Sequence, residues 1–175
     1  MAENNRQVDF VALFQEHFSY VWSVLRRLGV REPDVEDLTH EVFLNVYRKV
    51  SELDGTRPVR PWLFAFAYRV ASDDRRRAHR RREIIGDEPT ALDPGARADA
   101  RIEAHEERSL VWCALDELDM DRRAVLVLHE WDDEPIPEVA RALGIPLNTA
   151  YSRLRLARQD LARAVNRLSR QRRLA

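Results

Sequence analysis

The sequence predicts an all-α protein of two small helical domains joined by a flexible linker, with a helix-turn-helix in the second domain. Apolar residues recur at three- and four-residue intervals over most of the chain, and strand-like alternation appears nowhere. One internal stretch rich in proline, glycine and acidic residues interrupts the helical pattern. At 175 residues the chain has room for one or two compact units with modest cores.

The first domain is predicted to span residues 8–83 and to contain three helices. The apolar stripe of helix one ends at Gly29, a residue that commonly terminates helices. Pro33 opens helix two, whose valine and leucine stripe runs towards a turn signal at residues 54–55. Pro61 suits the first turn of helix three, in which an aromatic start gives way to a run of arginines.

Residues 84–101 are predicted to form the linker, because they lack sustained periodicity. The second domain is predicted over residues 102–173. Its later part has the order helix, tight turn, helix. Gly144 tolerates the positive φ of a helix C-terminus, and Pro146 and Asn148 fit the turn and the N-cap of the next helix.

The second helix of this motif is predicted to place small and apolar residues on one face and polar and basic residues on the other. The outward face can enter a DNA major groove. The expected DNA contacts on it are Asn148, Thr149, Tyr151, Ser152, Arg153, Arg155 and Arg158. The alternative is a helical hairpin whose arginines are merely solvated.

Helix three combines aromatic rings with arginines. Trp62, Phe64, Phe66 and Tyr68 fall on several sides of the helix, so some of them should be at least partly exposed. Stacking rings beside cations are typical of single-stranded nucleic acid binding. The alternative for any one ring is ordinary core packing, which suits Trp62 and Phe66 in particular.

Charge along the chain is segregated, although the formal net charge is only -1. Arginines crowd residues 69–82 and 153–173, whereas acidic residues dominate 32–41, 103–107 and 130–138. Two basic surfaces separated by acidic ones predict two nucleic-acid contacts and at least one contact with another partner.

Several function classes are disfavoured. The single Cys113 cannot form an internal disulfide, and no Cys/His cluster has the spacing of zinc ligands. The N-terminus lacks the order of a signal peptide, and no apolar run approaches the ~20 residues of a membrane span. We therefore expect a cytoplasmic protein with no cofactor, no bound metal and no membrane insertion.

Four motifs, in this order, resemble the extracytoplasmic-function sigma factors of bacterial RNA polymerase, which retain sigma regions 2 and 4. Asp34-Val-Glu-Asp-Leu-Thr-His-Glu-Val-Phe-Leu is similar to the polymerase-binding helix of that family. Residues 61–77 look like its helix for the minus-ten promoter element, with Asp73 and Arg76 at matching positions. Residues 118–128 and 138–154 resemble its region 4.

The resemblance implies a sigma factor, not an enzyme, that binds the β′ and β subunits of core RNA polymerase and directs promoter-specific initiation. Region 2 would recognise the minus-ten element and region 4 the minus-thirty-five element of promoter DNA. An anti-sigma factor is a further partner that the resemblance allows. The implied polymerase-binding residues are Asp37, His40, Glu41, Leu44, Asn45 and Arg48. The implied minus-ten residues are Arg60, Trp62, Phe64, Tyr68, Arg69, Asp73, Arg76, Arg77 and Arg80.

Three positions depart from the family pattern and predict altered promoter preference. Arg69 stands where the family has an asparagine associated with a minus-ten base. Asn148 and Tyr151 replace a glycine and a lysine at the start of the recognition helix.

Two other functions are alternatives at this point. Asp37, His40 and Glu41 lie within about one helical turn, near the spacing of a carboxylate-bridged metal site, but no second copy of the motif occurs. A dimeric helix-turn-helix repressor or activator would explain the second domain, but it leaves the aromatic and basic helix unexplained.

Overall fold

The computed structural model describes residues 9–53, 55–85 and 110–174. Within these ranges it is helical and has no strand, as the sequence predicts. The helices are α1 (Phe10–Arg27), α2 (Glu32–Lys49), α3 (Val59–Ile85), α4 (Met120–Glu130), α5 (Ile136–Leu143) and α6 (Leu147–Leu174). A 3-10 turn at Val50–Glu52 follows α2, and residues 110–116 are also helical. The predicted linker lies outside the described residues, except that residues 84–85 continue α3.

Helix α1 has defined signals at both ends. The Asp9 carboxylate accepts the backbone N–H of Val11 at 2.9 Å and so caps the N-terminus. At the C-terminus Gly29 adopts φ +92°, and the N–H of Val30 donates to the Leu25 carbonyl at 3.1 Å. This is the Schellman arrangement, in which a left-handed residue closes the helix. The predicted termination at Gly29 is confirmed.

Helices α1, α2 and α3 pack around one apolar core, because each presents a stripe of buried valine, leucine and phenylalanine side chains. Pro33 lies in the first turn of α2 and Pro61 in the first turn of α3, as predicted. The α-helical part of α2 ends at Lys49, earlier than the turn signal at residues 54–55 suggests. The intervening 3-10 turn accounts for the difference.

Helices α5 and α6 form the predicted helix-turn-helix. Gly144 has φ +66°, and the N–H of Ile145 donates to the Ala140 carbonyl at 3.0 Å. The expected N-cap at Asn148 is wrong: α6 begins at Leu147, so Asn148 lies inside its first turn. The buried face of α6 carries the predicted residues Ala150, Leu154 and Ala157, with Leu161 partly buried beside them.

The two helical units pack against each other. Helices α4 and α5 both lie against α3, and buried residues from residues 10–85 and from 110–174 form one continuous apolar cluster. The sequence did not predict this contact, because its helical patterns predict two units joined only through the linker.

Candidate polymerase and nucleic-acid interfaces

The six implied polymerase-binding residues share one face of α2. Asp37, His40, Leu44 and Arg48 are exposed, while Glu41 and Asn45 are partly exposed. The three- and four-residue spacing of the set puts every member on a single stripe. Leu44 is 59% exposed and lies in the middle of this stripe. The stripe therefore presents an apolar centre with charged and polar neighbours.

Aromatic packing between α1 and α2 supports this stripe. The Phe14 ring lies 4.8 Å from the Phe43 ring, and the Phe18 ring lies 5.7 Å from the His40 imidazole, between ring centroids. The Phe10 ring lies 4.9 Å from the ring of Tyr47, which is 61% exposed. Tyr47 extends the exposed surface beside Leu44. Sequence reasoning missed it, although its position three residues after Leu44 could have indicated it.

Helix α3 presents part of its aromatic set on the surface. Trp62 is partly buried, and its ring meets the buried Phe66 ring edge-on at 4.8 Å. The guanidinium of the exposed Arg69 lies over the same Phe66 ring, 5.8 Å from its centroid. The prediction that aromatics of this helix divide between core and surface is confirmed.

Phe64 does not fit the role implied for it. Its side chain is 0% exposed and belongs to the continuous apolar core. A ring buried on all sides cannot stack on a base unless the core opens. Phe64 is therefore corrected from a DNA contact to a core residue.

The basic residues further along α3 are exposed, and two of them, Arg76 and Arg77, lie beside acidic side chains. Arg76 forms an ion pair with Asp73, one turn before it. Arg77 lies 3.8 Å from the carboxylate of Glu41 on α2. Arg80 is exposed as well. This end of α3 offers a cationic surface to solvent.

Tyr68 on α3 faces the second unit. Its hydroxyl donates to the Asp121 carboxylate of α4 at 2.5 Å. Burial, together with this hydrogen bond, raises the pKa of Tyr68 to about 12. Around this contact the two helices form a groove of about 570 Å³. Its lining is Tyr68, Arg69, Ser72, Asp73, Arg75, Arg76 and His79 from α3 with Met120 and Asp121 from the second unit.

The start of α6 exposes the predicted recognition surface. Asn148, Tyr151, Ser152, Arg155 and Arg158 are exposed, whereas Thr149 and Arg153 are half-buried. The Ser152 hydroxyl donates to the Asn148 carbonyl at 2.9 Å, a common back-bond within a helix.

Two of the three predicted arginines of α6 are held by acidic residues of α4. Arg153 pairs with Asp121, on the carboxylate oxygen that Tyr68 does not use. Arg158 donates to the Glu130 carboxylate through Nε at 2.8 Å and through Nη2 at 2.5 Å. The arrangement fixes the direction of both guanidinium groups.

Arg123 on α4 is a residue whose role sequence reasoning missed. It is 1% exposed, donates from Nε to the Arg27 carbonyl at 2.5 Å, and pairs with Asp116 at 2.7 Å. Burial lowers the pKa of Arg123. The signal was present in the sequence, because an arginine directly before the apolar run of residues 124–128 is a candidate for burial.

A second tyrosine also joins the two units. The Tyr20 hydroxyl donates to Asp132, just after α4, at 2.6 Å, and Arg27 lies 3.6 Å from the other oxygen of that carboxylate. Burial raises the pKa of Tyr20 well above its usual range, and the contact with Asp132 adds to the effect. Burial likewise raises the pKa of Asp132, although Tyr20 and Arg27 oppose the shift.

Within residues 9–53, 55–85 and 110–174, no group of three or more His, Cys, Asp or Glu side chains is arranged to hold a metal ion. None of the helices in those ranges is long and apolar enough to cross a membrane.

Comparison with known proteins agrees with this arrangement. Residues 13–81 match the Sigma-70 region 2 family model, and residues 108–161 match the model of Sigma-70, region 4. The ECF RNA polymerase sigma factor SigL of Mycobacterium tuberculosis is 31% identical over 147 residues, which cover 83% of this chain and 82% of SigL.

Solved structures give the same result for the fold. CnrH in complex with the cytosolic domain of CnrY is 25% identical, with a TM-score of 0.64 and coverage of 93% of this chain and 90% of CnrH. The sigma factor RpoE in complex with the anti-sigma factor NepR, from Bartonella quintana, has a TM-score of 0.69 at 19% identity, covering 90% and 97% of the two chains.

A helical unit with an exposed docking stripe and an aromatic, basic helix, followed by a helix-turn-helix, defines a promoter-recognition subunit of bacterial RNA polymerase. The chain belongs to the ECF RNA polymerase sigma factors. It binds core RNA polymerase and directs promoter-specific initiation, recognising the minus-ten element with region 2 and the minus-thirty-five element with region 4. The match to both regions favours a sigma factor over a repressor that carries a helix-turn-helix alone.

Proposed function

We propose that three helices divide the work of promoter recognition. The stripe on α2 docks on a coiled coil of the polymerase β′ subunit, with Asp37, His40, Glu41, Leu44, Asn45 and Arg48 as its contacts. Helix α3 captures the non-template strand at the minus-ten element, and the first turns of α6 hold the minus-thirty-five duplex. The domain limits that accompany this division are 8–83, 84–101 and 102–173.

The observation that carries the proposal is the exposure of Leu44 in the middle of a charged stripe. A contiguous exposed apolar patch marks a protein contact, because it gains most when a partner removes it from water, and Leu44 forms such a patch with the neighbouring Tyr47. Tyr47 lies beside Leu44 with its ring held by Phe10, so the surface is ordered before any partner arrives.

On α3, the proposed minus-ten contacts are Arg60, Trp62, Tyr68, Arg69, Asp73, Arg76, Arg77 and Arg80, without Phe64. Trp62 supplies a ring surface, and Arg69 supplies a cation above the Phe66 ring beside it. Base stacking on such a ring is worth about 1–3 kcal/mol per base. Arg69 in place of the family's asparagine favours backbone contact over base selection at this position.

On α6, Asn148, Thr149, Tyr151, Ser152, Arg153, Arg155 and Arg158 are the proposed contacts with the minus-thirty-five duplex. Tyr151 is 53% exposed and presents a ring and a hydroxyl where the family has a lysine. A phosphate-binding cation is thereby replaced by a group suited to base edges and methyl groups.

The proposal also covers catalysis, location and regulation. The chain catalyses no reaction of its own, and it acts in the cytoplasm, where its polymerase partner is. An anti-sigma factor is a further proposed partner, because CnrH was solved with a bound protein, the cytosolic domain of CnrY.

The test is a pair of matched leucine substitutions in the full chain, with binding to core RNA polymerase measured by fluorescence anisotropy. Leu44→Ala removes the apolar centre of the α2 stripe and should weaken binding by about tenfold, the effect of about 1.4 kcal/mol at an interface centre. Leu147→Ala removes an exposed leucine of α6 and should leave binding to core enzyme unchanged. Equal effects of the two substitutions, or none, would remove the α2 assignment.

A further inference from the structure

We propose that α6 reads a thymine of the minus-thirty-five element through the methyl group of the base, and that Leu147, supported by the neighbouring ring of Tyr151, makes this contact. The proposal rests on the proposed role of α6 in binding the minus-thirty-five duplex. It adds one residue, Leu147, to the contacts of that helix and names the base that this residue selects.

Leu147 and Tyr151 form an apolar edge on the first two turns of α6. Among the described residues of this helix, they are the large apolar side chains that remain exposed, at 44% and 53%. The apolar face that holds the helix in place lies elsewhere, around the buried Ala150 and Leu154. Leu147 and Tyr151 are four positions apart, and a leucine and a tyrosine at this spacing pack against each other on a helix surface.

The polar side chains of the same turns favour an adenine–thymine pair. Residues 147–152 contain no arginine or lysine, the side chains that most often read guanine in a major groove. Asn148 is exposed, and an asparagine amide can form two hydrogen bonds with adenine. The Ser152 hydroxyl donates to the Asn148 carbonyl at 2.9 Å, so its proton is engaged inside the helix. An adenine–thymine pair therefore suits both the amide and the apolar edge.

Two arginines of α6 are held away from this edge. Arg153 is half-buried and pairs with Asp121, and Arg158 pairs with Glu130. Both carboxylates belong to α4, so both guanidinium groups are directed towards that helix. The start of α6 is thus left to Leu147 and its uncharged neighbours, which suits contact with a base and not with a phosphate.

The methyl group of thymine is the natural partner of an apolar side chain in the major groove. It lies at C5 and distinguishes thymine from the other bases of DNA. Burial of one such carbon should raise affinity about fourfold, which corresponds to ~0.8 kcal/mol. A leucine can supply this contact, because it covers the methyl group without adding a polar atom that needs a partner.

Duplex DNA is favoured over a protein as the occupant of the apolar edge. Leu147 and Tyr151 belong to the second helix of the helix-turn-helix, and residues 108–161 match the model of Sigma-70, region 4. The exposed Arg155 lies one turn beyond Tyr151 and provides a cation for the DNA backbone beside the edge.

The experiment uses holoenzyme assembled from core RNA polymerase and the full chain. A duplex library with a randomised window at the minus-thirty-five element is selected for binding to this holoenzyme, and the enriched duplex becomes the probe. Each thymine of the element, on either strand, is then replaced singly by deoxyuracil, which pairs as thymine does but lacks the methyl group. Fluorescence anisotropy gives the ratio of the affinities for the thymine and the uracil probe at each position.

We expect at least one thymine to bind about fourfold more tightly than uracil with the unaltered chain. Leu147→Ala should bring this ratio close to one, because the methyl group loses its partner. Leu147→Met keeps an apolar side chain of similar volume and should retain most of the ratio. Val11→Ala removes an exposed apolar side chain of α1 and is the matched control, which should leave the ratio unchanged.

Three results would overturn the reading of thymine by Leu147. The first is an enriched element without thymine, or one in which every thymine can be replaced by uracil at no loss of affinity. The second is a ratio that survives in Leu147→Ala or is lost equally in Leu147→Met. The third is weaker binding of Leu147→Ala to core polymerase at an unchanged ratio, which would assign the apolar edge to a protein partner.

Failure of the proposed function gives a different result. If the holoenzyme enriches no duplex, or if Arg155→Ala leaves affinity for the enriched element unchanged, α6 does not hold the minus-thirty-five duplex and both proposals fall. If the element is enriched and Arg155→Ala weakens its binding, but uracil binds as well as thymine, only the reading of the methyl group is wrong.

Discussion

The hydroxyl of Tyr68 and the carboxylate of Asp121 lie 2.5 Å apart, although 53 positions separate them in the chain. Tyr68 belongs to α3, the helix proposed to capture the minus-ten element, and Asp121 belongs to α4, which packs against α6, the helix proposed to bind the minus-thirty-five element. The contact therefore links the two promoter-binding halves of a sigma factor directly. Several expectations follow from it and from the surfaces around it.

The pKa of Tyr68 is a measurable property that depends on this contact. Its pKa is raised to about 12, chiefly by burial, so the protonated phenol stabilises the folded protein with this contact below pH ~10, and this contribution is lost as pH rises through about 12. Arg123→Ala, which does not touch Tyr68, should lower this pKa towards about 10. Ultraviolet titration at the tyrosinate band, compared with Tyr68→Phe in each background, measures the change. A pKa that stays near 12 in Arg123→Ala would show that the contact survives without the buried arginine.

Phe64 and Trp62 should behave as core and surface residues of the same helix. Phe64→Leu should lower the free energy of unfolding by about 1–3 kcal/mol and leave promoter opening by the folded holoenzyme intact. Trp62→Leu should reduce promoter opening, because it removes the partly exposed ring. Denaturant unfolding and permanganate footprinting of the promoter separate the two effects. Loss of opening in Phe64→Leu at unchanged stability would restore Phe64 as a strand contact.

The chain by itself should not melt a promoter. Opening about ten base-pair steps at roughly 1.4 kcal/mol each costs on the order of 14 kcal/mol. Capture of two or three bases by stacking returns only about 2–9 kcal/mol. Permanganate footprinting with the purified chain should therefore show a closed duplex, whereas addition of core polymerase should produce a bubble. A bubble without polymerase would contradict this balance.

The arginines of α6 should give promoter binding its salt dependence. Each arginine that neutralises a duplex phosphate contributes about 0.9 to the slope of log affinity against log salt. Arg155→Ala should reduce the slope by about that amount in holoenzyme binding to minus-thirty-five duplex, and Arg158→Ala should reduce it by less, because Arg158 is already paired with Glu130. Arg163→Ala, which removes an arginine paired with Asp160 further along the helix, is the control. An equal loss of slope in all three variants would point to general charge in place of specific phosphate contacts.

The sequence was sufficient for the fold because its signals are local. The glycines at 29 and 144 end helices through positive φ, and the prolines at 33 and 61 open them, as predicted. The stripes of apolar residues also predicted the buried faces of α2 and α6 correctly. The start of α6 was predicted one or two positions too late. Asn148 is a good cap residue, but the helix already begins at Leu147, directly after Pro146.

The contact between the units could not be predicted, because it depends on pairs far apart in the chain. Tyr20 and Asp132 are unremarkable as single residues, and only the packing of the second unit on the first brings them together. The prediction of Phe64 as a DNA contact was wrong for a related reason. A helix with aromatic residues on several sides must expose some of the rings, but the neighbours of each ring decide which rings are exposed. The neighbours of each ring in the folded protein, and not the residue type, decide that Phe64 is buried and Trp62 is partly exposed.

The most direct test is transcription reconstituted from core RNA polymerase, the full chain and a library of promoter fragments, with the 5′ ends of the transcripts mapped. The chain should direct initiation at a defined set of start sites that share two upstream elements, and Leu44→Ala should lower the yield from all of these sites together. Start sites identical to those of core enzyme alone would contradict the proposed division of work among α2, α3 and α6.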